Sequence, residues 1–461
     1  MPQTPAIARW PAVSLTPSDR LLILAPHPDD EVLCCGGLLQ QAHELHLPVR
    51  VVFFTYGDNI QWSFLLYRKH PVLLPVAVQR MGLVRHDEAV AADRLLGVEP
   101  DALVFLGYPD FGTLHLWTDH WGDRPPFQSM LTHVTAVPYA NALRPGAPYT
   151  GEEVLRDLTT VLREFRPTKV FVSHPGDHMP DHRALYLFAR VALWDLEPDL
   201  RPELYPYLVH FRRWPSPRGY RPAEPLAPPV PFAGPVVWRA SRFGGRAVAR
   251  KHRAIQAHRT QYEASASYLL SFIRPNELFG DFPILPLKRL GTAALAPGAG
   301  PPPSELPEQL TDEERAVFVG VEDRSVALDG ATLVLSLAFS RPLAEAVEAS
   351  VEVFGYRRDR PFGAMPKIHV QVGALRTLVF DQRRQLPRNA VEVRRQLNAL
   401  TIRVPLAVLG DPQKILTSAR TSLGELPLDW VSWRILDLTG DSSDEAAGPS
   451  AGLTSDPPVL H

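Results

Sequence analysis

The stretch RLLILAPHPDDEVLCCGGLLQQAHELHLPVRVVFFTYG, residues 20–57, determines the predicted fold. Its two ends, RLLILAP (20–26) and VRVVFFTYG (49–57), are largely apolar runs, as is typical of strands buried on both faces of a parallel sheet. Between them, from Glu31 to His46, apolar residues recur at helical spacing. A strand, a helix and a second strand in this order predict a βαβ unit.

The same alternation continues to about residue 196. The further predicted elements are a helix over Leu83–Leu96, the strand ALVFLG (102–107), a helix over Gly151–Phe165, the strand KVFVSH (169–174) and a helix over Asp181–Leu196. Together they predict an α/β fold: a Rossmann-like, mostly parallel sheet with flanking helices. The segment 110–150 interrupts the pattern and is rich in aromatic residues, proline and glycine, so we expect a loop that covers the substrate.

The pattern changes in the second half of the chain. The Pro/Gly-rich stretch 291–312 reads as an interdomain linker. Beyond it, short runs with alternating apolar residues, such as TLVLSLAF (332–339), predict a C-terminal antiparallel β-sandwich-like domain. The predicted division is a domain over 1–290, a β-rich accessory domain over 313–440 and a disordered tail over 441–461.

The composition limits the class of protein. Lysine and arginine (48) nearly balance aspartate and glutamate (50), so no bulk charge favours nucleic acid or an anionic membrane. The two cysteines, Cys34 and Cys35, are adjacent, which argues against a disulfide framework and for core packing. The first twenty residues lack the apolar core of a signal peptide, and no apolar run approaches the roughly 18 residues that span a bilayer. The sequence predicts a cytoplasmic protein with no nucleic-acid partner and no membrane span, and it leaves homo-oligomer formation open.

Two clusters of histidine and aspartate follow predicted strands. APHPDDE (25–31) leaves the first strand, and SHPGDHMPDHRAL (173–185) leaves a later one. The carboxyl ends of parallel strands share one edge of a sheet, where ligands bind. Two strand ends facing one crevice would bring together His27, Asp30 and His182, and a His₂Asp set with an open fourth position is typical of catalytic zinc.

The remaining carboxylate of the first cluster, Asp29, is the predicted general base that takes a proton from the attacking water. A simpler interpretation is also available, because aspartate at a helix start caps free N–H groups. A nucleotide-binding function is disfavoured because Gly36–Gly37 does not form a GxGxxG fingerprint.

Several motifs in order resemble the PIG-L/LmbE-like deacetylase family, whose members include de-N-acetylases of GlcNAc-phosphatidylinositol and of thiol-cofactor precursors. The resemblance covers roughly residues 18–285. It rests on APHPDDEVLCCGGLL, RHDEAVAADRLLGV followed by FLGYPD, PDHRAL and KHRAIQAHRTQ. It implies metal ligands at His27, Asp30 and His182 and a general base at Asp29.

The chain departs from the family pattern at one position. Family members commonly carry another histidine three residues before the last ligand, where this chain has Met179. We expect His178 to replace it as electrophile or general acid, oriented by Asp181. His174 is the competing candidate.

The predicted substrate-binding residues are Arg68 and Asp58, from their position, and His258, which the resemblance implies through the family's basic-helix motif. Asp58 follows the second strand and is expected to orient His27 or to bind substrate. The late basic helix supplies His258 with Lys251 and Gln261, which would line the pocket or brace the metal shell. For Lys251, a solvated helix face is an equally good interpretation.

Arg85 and Glu88, at helical i,i+3 spacing, are expected to form a structural pair. In the C-terminal region the aromatic residues Tyr356, Phe362, Trp430 and Trp433 are expected either to stack on sugar rings or, more commonly in a sandwich, to lie in its core.

The sequence predicts a metal-dependent hydrolase that removes an N-acetyl or N-acyl group from an amino-sugar or glycoconjugate, using Zn²⁺. Iron and cobalt would accept the same ligands. The alternatives are a non-catalytic, metal-dependent glycan-binding protein and an amidase acting on a lipo-glycopeptide acyl chain, which the apolar segment 62–74 favours.

Overall fold

The computed structural model describes residues 10–59, 74–287, 292–295, 311–343, 346–424 and 426–439. The predicted βαβ unit is present as strand β1 (Leu21–Ala25), helix α1 (Asp30–Glu44) and strand β2 (Val49–Thr55). The following elements are α2 (Pro75–Leu96), β3 (Leu103–Tyr108), α3 (Thr113–Asp119), α4 (Gly151–Phe165), β4 (Lys169–Ser173), α5 (Pro180–Leu196), β5 (Glu203–Tyr207), β6 (Val237–Arg242), α6 (Gly245–Ala257), α7 (Arg259–Leu269) and β7 (Asn276–Asp281).

The first five strands form one parallel sheet in the order β3-β2-β1-β4-β5. Strand β1 pairs with β2 on one side and β4 on the other, so the winding direction reverses between β1 and β4. Ligands of open α/β sheets bind at this reversal, outside the carboxyl ends of the strands. The predicted α/β fold is confirmed, and both His/Asp clusters leave strands that border the reversal.

Two helical predictions differ in detail from the structure. Helix α2 begins at Pro75 rather than at Leu83, since proline at the first position of a helix needs no N–H partner there. The basic helix is divided at His258, whose backbone (φ −76°, ψ 64°) ends α6 and precedes α7. Among the described residues, no helix combines the length and the apolar character needed to cross a bilayer.

The C-terminal half is rich in antiparallel strands, as predicted. Its elements are β8 (Leu285–Pro286), β9 (Thr292–Leu295), α8 (Asp312–Ala316), β10 (Val321–Asp329), β11 (Thr332–Phe339), β12 (Val347–Tyr356), β13 (Lys367–Val372), β14 (Thr377–Asp381), β15 (Arg384–Gln385), β16 (Glu392–Arg395), β17 (Ala399–Pro405), β18 (Lys414–Leu423) and β19 (Leu426–Asp437). They form a five-stranded sheet, β16-β17-β11-β10-β9, and a seven-stranded sheet, β15-β14-β13-β12-β18-β19-β8.

Strand β9 lies inside the stretch predicted as a linker. It pairs antiparallel with β10, from Arg324 opposite Leu295 to Ala327 opposite Thr292. These four residues are therefore part of the sandwich. Most of the rest of 291–312 and all of the predicted tail 441–461 lie outside the described residues, and the domain division remains a prediction.

Both faces of the seven-stranded sheet pack against a hydrophobic core. One face carries Val351, Ile415 and Val431 into the core of the sandwich. The opposite face carries apolar side chains that belong to the hydrophobic core of the N-terminal half; they are Phe354, Tyr356, Leu416, Trp433 and Ile435, and Phe362 from the turn between β12 and β13 joins them. The accessory region is therefore docked on the α/β region through a shared apolar core.

The segment predicted to cover the substrate supplies the other side of this contact. Trp117 of α3 stacks on Phe362 at 4.9 Å and meets Trp433 edge-on at 6.2 Å. Within the segment, Trp121 and Tyr149 are also buried. Part of the segment therefore packs between the two halves of the chain, while Phe111 is 40% exposed, and its role as a cover stays a prediction. Of the four aromatics considered for sugar stacking, Trp430 alone is half-exposed.

Candidate metal centre

The predicted ligands converge at the reversal of the sheet. His27 lies in the loop after β1, Asp30 is the first residue of α1, and His182 lies in the first turn of α5. His27 Nδ1 is 3.3 Å from Asp30 Oδ2, His182 Nε2 is 3.2 Å from the same oxygen, and the two ring nitrogens are 3.3 Å apart. One atom of each residue therefore points at a common centre.

The donor set fits a divalent transition metal. Ligands bound about 2.0–2.1 Å from a tetrahedral ion lie about 3.3 Å from one another, which is the spacing of these three atoms. All three side chains are buried. Burial lowers the pKa of His182, but the Asp177 and Asp30 carboxylates raise it to about 9. The structure thus stabilises positive charge at this point, as it would for a cation.

Two carboxylates orient His27 from behind. Its Nε2–H donates to Asp181 Oδ2 at 3.2 Å and lies 3.1 Å from Asp110 Oδ1, so Nδ1 is left for the metal. Asp181 is itself fixed by the backbone N–H groups of Phe111, at 2.7 Å, and Thr113, at 3.2 Å. His27, Asp110 and Asp181 also form a second cluster of possible ligand atoms, which this hydrogen bonding explains.

Asp177 orients His182 in the same way. Its Oδ2 lies 3.2 Å from His182 Nδ1 and accepts the backbone N–H groups of Val209, at 3.0 Å, and His210, at 2.9 Å. Burial raises the pKa of Asp177, but His182, the His210 imidazole and the backbone N–H of Met179 bring it to about 2. Both imidazole ligands therefore have a carboxylate partner on the far nitrogen.

Asp29 is the carboxylate that faces out of the buried cluster. Its side chain is 14% exposed, whereas the ligand side chains are at most 7% exposed. Its φ of 139° is unusual for a residue with a side chain, and such strain is concentrated at functional sites. Burial raises the pKa of Asp29 to about 7, although Arg85 opposes the rise. Asp29 thus combines a strained backbone with a carboxylate more exposed than those of the ligands.

Arg85 of α2 holds the loops that carry these residues. Its guanidinium donates to the carbonyls of Gly57, at 2.8 Å, and Pro28, at 2.6 Å, and lies 3.4 Å from Asp29 Oδ1. A Cβ at Gly57 would lie 2.0 Å from the guanidinium, so glycine is required there. Glu88, the predicted partner of Arg85, instead accepts from the backbone and hydroxyl of Thr260.

A family comparison agrees with this geometry. The family model for GlcNAc-PI de-N-acetylase, PIG-L, matches residues 22–193. Those residues contain all three ligand positions and Asp29. Residues 22–193 are a PIG-L family domain.

Curated relatives match part of the chain. Over 183 residues it is 28% identical to the 1D-myo-inositol 2-acetamido-2-deoxy-alpha-D-glucopyranoside deacetylases of Mycobacterium sp. strains KMS and JLS. The match covers 38% of this chain and 52% of each relative, so the chain spans about half the length of the curated relatives it matches.

Solved structures are also similar to part of the chain. The conserved protein TT1542 from Thermus thermophilus is 22% identical, with a TM-score of 0.34, over 55% of this chain and 84% of that one. The N,N'-diacetylchitobiose deacetylase from Pyrococcus horikoshii is 22% identical, with a TM-score of 0.32, over 54% of this chain and 75% of that one. The family assignment rests on the family match and on the motif positions.

Three further histidines near the ligands differ in their surroundings. His174 is enclosed by the rings of Phe232, Trp238 and Phe282. His178 is half-buried, 4.9 Å from the Phe211 ring and 5.5 Å from the Trp430 ring. The ring next to a ligand is instead that of His210, which lies 4.9 Å from the ring of His182.

His210 is a site residue that the sequence does not reveal. It lies in the loop after β5, and its Nδ1 is 3.3 Å from the Tyr268 hydroxyl, which donates to the Val209 carbonyl at 2.8 Å. Its ring lies beside that of the ligand His182, and burial lowers its pKa to about 4, although the Asp177 carboxylate opposes the fall. His210 therefore faces the ligand cluster.

The contacts of Asp181 differ from those predicted. The sequence predicts that it orients His178, but its carboxylate contacts His27 and the α3 segment. The residues that share this task, Asp110 and Asp177, are absent from the predicted site. Both are visible, in FLGYPD and in HPGDHMPDH, as aspartates near a strand end.

The predicted substrate residues have other contacts. Asp58 accepts a hydrogen bond from the Tyr139 hydroxyl, and it does not orient His27. His258 is buried with Nε2 3.2 Å from Glu31 Oε1, and Glu31 in turn accepts the backbone N–H of Asp29 at 2.9 Å. His258 thus braces the base instead of lining the crevice. Arg68 and most of the apolar segment 62–74 lie outside the described residues.

Lys251 is likewise buried, so the solvated-face interpretation is wrong. Its Nζ donates to Glu277 at 2.7 Å and to the Leu33 carbonyl at 2.7 Å. Glu277 also accepts the backbone N–H of Leu38, at 3.0 Å, so the pair fixes α1 from the side opposite the metal centre. Cys34 and Cys35 are buried in α1 as predicted.

Proposed function

We propose that the PIG-L domain is a metal-dependent amide hydrolase that removes an N-acetyl or N-acyl group from an amino-sugar substrate. The observation that carries the proposal is the convergence of His27 Nδ1, Asp30 Oδ2 and His182 Nε2 at tetrahedral spacing, with Asp29 at the rim. The names of the mycobacterial relatives, deacetylases of an acetamido sugar, support the substrate class. Zinc is the metal that we propose from the ligand set.

The chain's own residues divide the chemical work. A bound divalent metal supplies Lewis acidity, which polarises the amide carbonyl and acidifies water. Asp29 takes the proton from the attacking water, since its carboxylate is more exposed than the ligand side chains. Asp110 and Asp181 hold His27, and Asp177 holds His182, so that each ring presents one nitrogen in a fixed direction.

The first test is metal content. The purified wild-type protein is expected to contain or take up about one zinc or iron per chain, and Asp30→Ala is expected to lose it because one of three ligands is gone. Asp87→Ala, which removes an exposed carboxylate from α2, is the matched control and should retain the metal. Elemental analysis measures both. A wild-type chain that takes up no metal on reconstitution would contradict the proposal.

The imidazole that assists the leaving amine or the oxyanion is proposed to be His210. His210→Phe is expected to lower kcat by about 10²-fold or more with metal content unchanged, the size of an acid–base contribution. His178→Phe is expected to have a smaller effect, because the ring of His178 packs on Phe211 and Trp430. Steady-state kinetics on an N-acetyl sugar that the wild type hydrolyses compares the two. A larger loss in His178→Phe would restore the role predicted for His178.

A non-catalytic glycan-binding protein is the second candidate, favoured by Met179 at the position where the family commonly has histidine. Such a protein would bind metal and sugar but show no product in a single-turnover experiment. Detection of free amine after one turnover supports the hydrolase instead.

A further inference from the structure

Among the described residues, Arg183 is a cation without an acidic hydrogen-bonding partner beside the metal centre. It follows the ligand His182 in α5, and its side chain is half-exposed. Within the same part of the chain, its guanidinium forms no ion pair, and its Nε is buried without a hydrogen bond. A buried donor without a partner is costly unless another molecule supplies the acceptor.

The guanidinium is held in place by the accessory region. Its Cζ lies 4.1 Å from the centre of the Trp430 ring, and Trp430 belongs to β19. A guanidinium stacked on an indole keeps its N–H groups in its own plane, where they can form paired hydrogen bonds to a phosphate or carboxylate. The stack therefore presents Arg183 as a preoriented binding group for an oxyanion.

Charges of both signs surround the stack, because the Asp177, Glu352 and Asp181 carboxylates act on Arg183 together with the Arg420 guanidinium. Arg183 and Arg212 both act on His178, whose ring also touches Trp430. The neighbouring Arg420 is already paired with Glu352, at 3.8 Å, and so its charge is compensated. Among the described residues, Arg183 forms no ion pair with these carboxylates, and its Nε–H is left for an acceptor on another molecule.

We infer that Arg183 and Trp430 form a subsite, built from both halves of the chain, for a phosphate or carboxylate group on the substrate. The inference rests on the proposed function and narrows it, since the sugar would carry an anionic substituent as well as its N-acyl group. Successive residues of a helix point about 100° apart, so Arg183 flanks the metal centre and does not point into it. The subsite would therefore hold a substituent away from the scissile amide.

The test measures binding, without turnover, by the metal-loaded full-length chain. Calorimetric titrations use N-acetylglucosamine, its 1-phosphate and 6-phosphate, and N-acetylmuramic acid, so that the phosphate and carboxylate arms are separate. The wild type is expected to bind at least one anionic sugar about tenfold or more tightly than the neutral sugar. In Arg183→Gln the ratio of the two dissociation constants is expected to fall close to one.

The control is Arg163→Gln, which removes an equal charge from the exposed surface of α4 and should keep the wild-type ratio. Equal binding of neutral and anionic sugars by the wild type would overturn the subsite, whatever the variants do. So would a preference that persists in Arg183→Gln, because a phosphate held by the metal alone would give that result. Because binding is read separately from product formation, absence of turnover would count against the proposed function only.

Discussion

Asp29→Asn is expected to lower kcat by about 10²- to 10⁴-fold while leaving the metal bound, the range that a positioned general base contributes. Asn keeps the size of the side chain and tolerates positive φ better than most residues. It cannot take up a proton from water. Turnover of an N-acetyl sugar, measured together with metal content, checks both halves of the expectation.

The control for this variant is Asp87→Asn, whose side chain is 84% exposed on α2 and should leave kcat unchanged. A variant Asp29→Asn with near-wild-type turnover on a confirmed substrate would remove Asp29 from the mechanism. Loss of metal in Asp29→Asn would also contradict the assignment, because it would make Asp29 a ligand or an essential support of one.

The metal ligands could be predicted from the sequence because each belongs to a short motif at a strand end. In a parallel sheet those ends share one edge, and so His27 and His182 needed only the correct strand pairing to meet. The partners of the ligands depend on tertiary structure instead. Asp110 follows β3, which β2 separates from β1 in the sheet, yet it lies 3.1 Å from His27, and no local pattern encodes that distance.

His210 shows a different limit. It lies in YLVHF after β5, with no neighbouring acid or glycine to mark it. It reaches the site because the backbone N–H of His210 bonds Asp177, the residue that also orients His182. Asp177, which follows β4, contacts both His182 and the loop after β5. This link can be recognised only when the positions of both strands are known.

The contact between the accessory region and the N-terminal half could not be predicted from the alternation of apolar residues in the strands. Alternation in β19 predicts one buried face, but the structure places Val431 in the sandwich core and Trp433 in the core of the N-terminal half. The register of β18 and β19 shifts between Thr417 and Ala419, where β19 has an extra residue. Such a bulge reverses the face that later residues occupy, so period-two reasoning assigns them to the wrong side.

Trp433→Ala is therefore expected to lower the free energy of unfolding of the whole chain by about 3–5 kcal/mol, the usual cost of removing a buried tryptophan. Trp433 is 4% exposed, and its ring meets those of Trp117 and Phe354. Because the lost contacts join the two halves, we expect one cooperative transition, displaced to lower denaturant concentration, by circular dichroism.

The matched control is Leu397→Ala in the same sandwich. Leu397 is 81% exposed, so its removal should change the free energy of unfolding by less than about 0.5 kcal/mol. Two separate transitions in the wild type, or a Trp433→Ala variant as stable as Leu397→Ala, would show that the halves are independent modules. A single transition sensitive to Trp433 means instead that the sandwich stabilises the PIG-L domain, since the same contact fixes α3, whose Thr113 holds Asp181 behind His27.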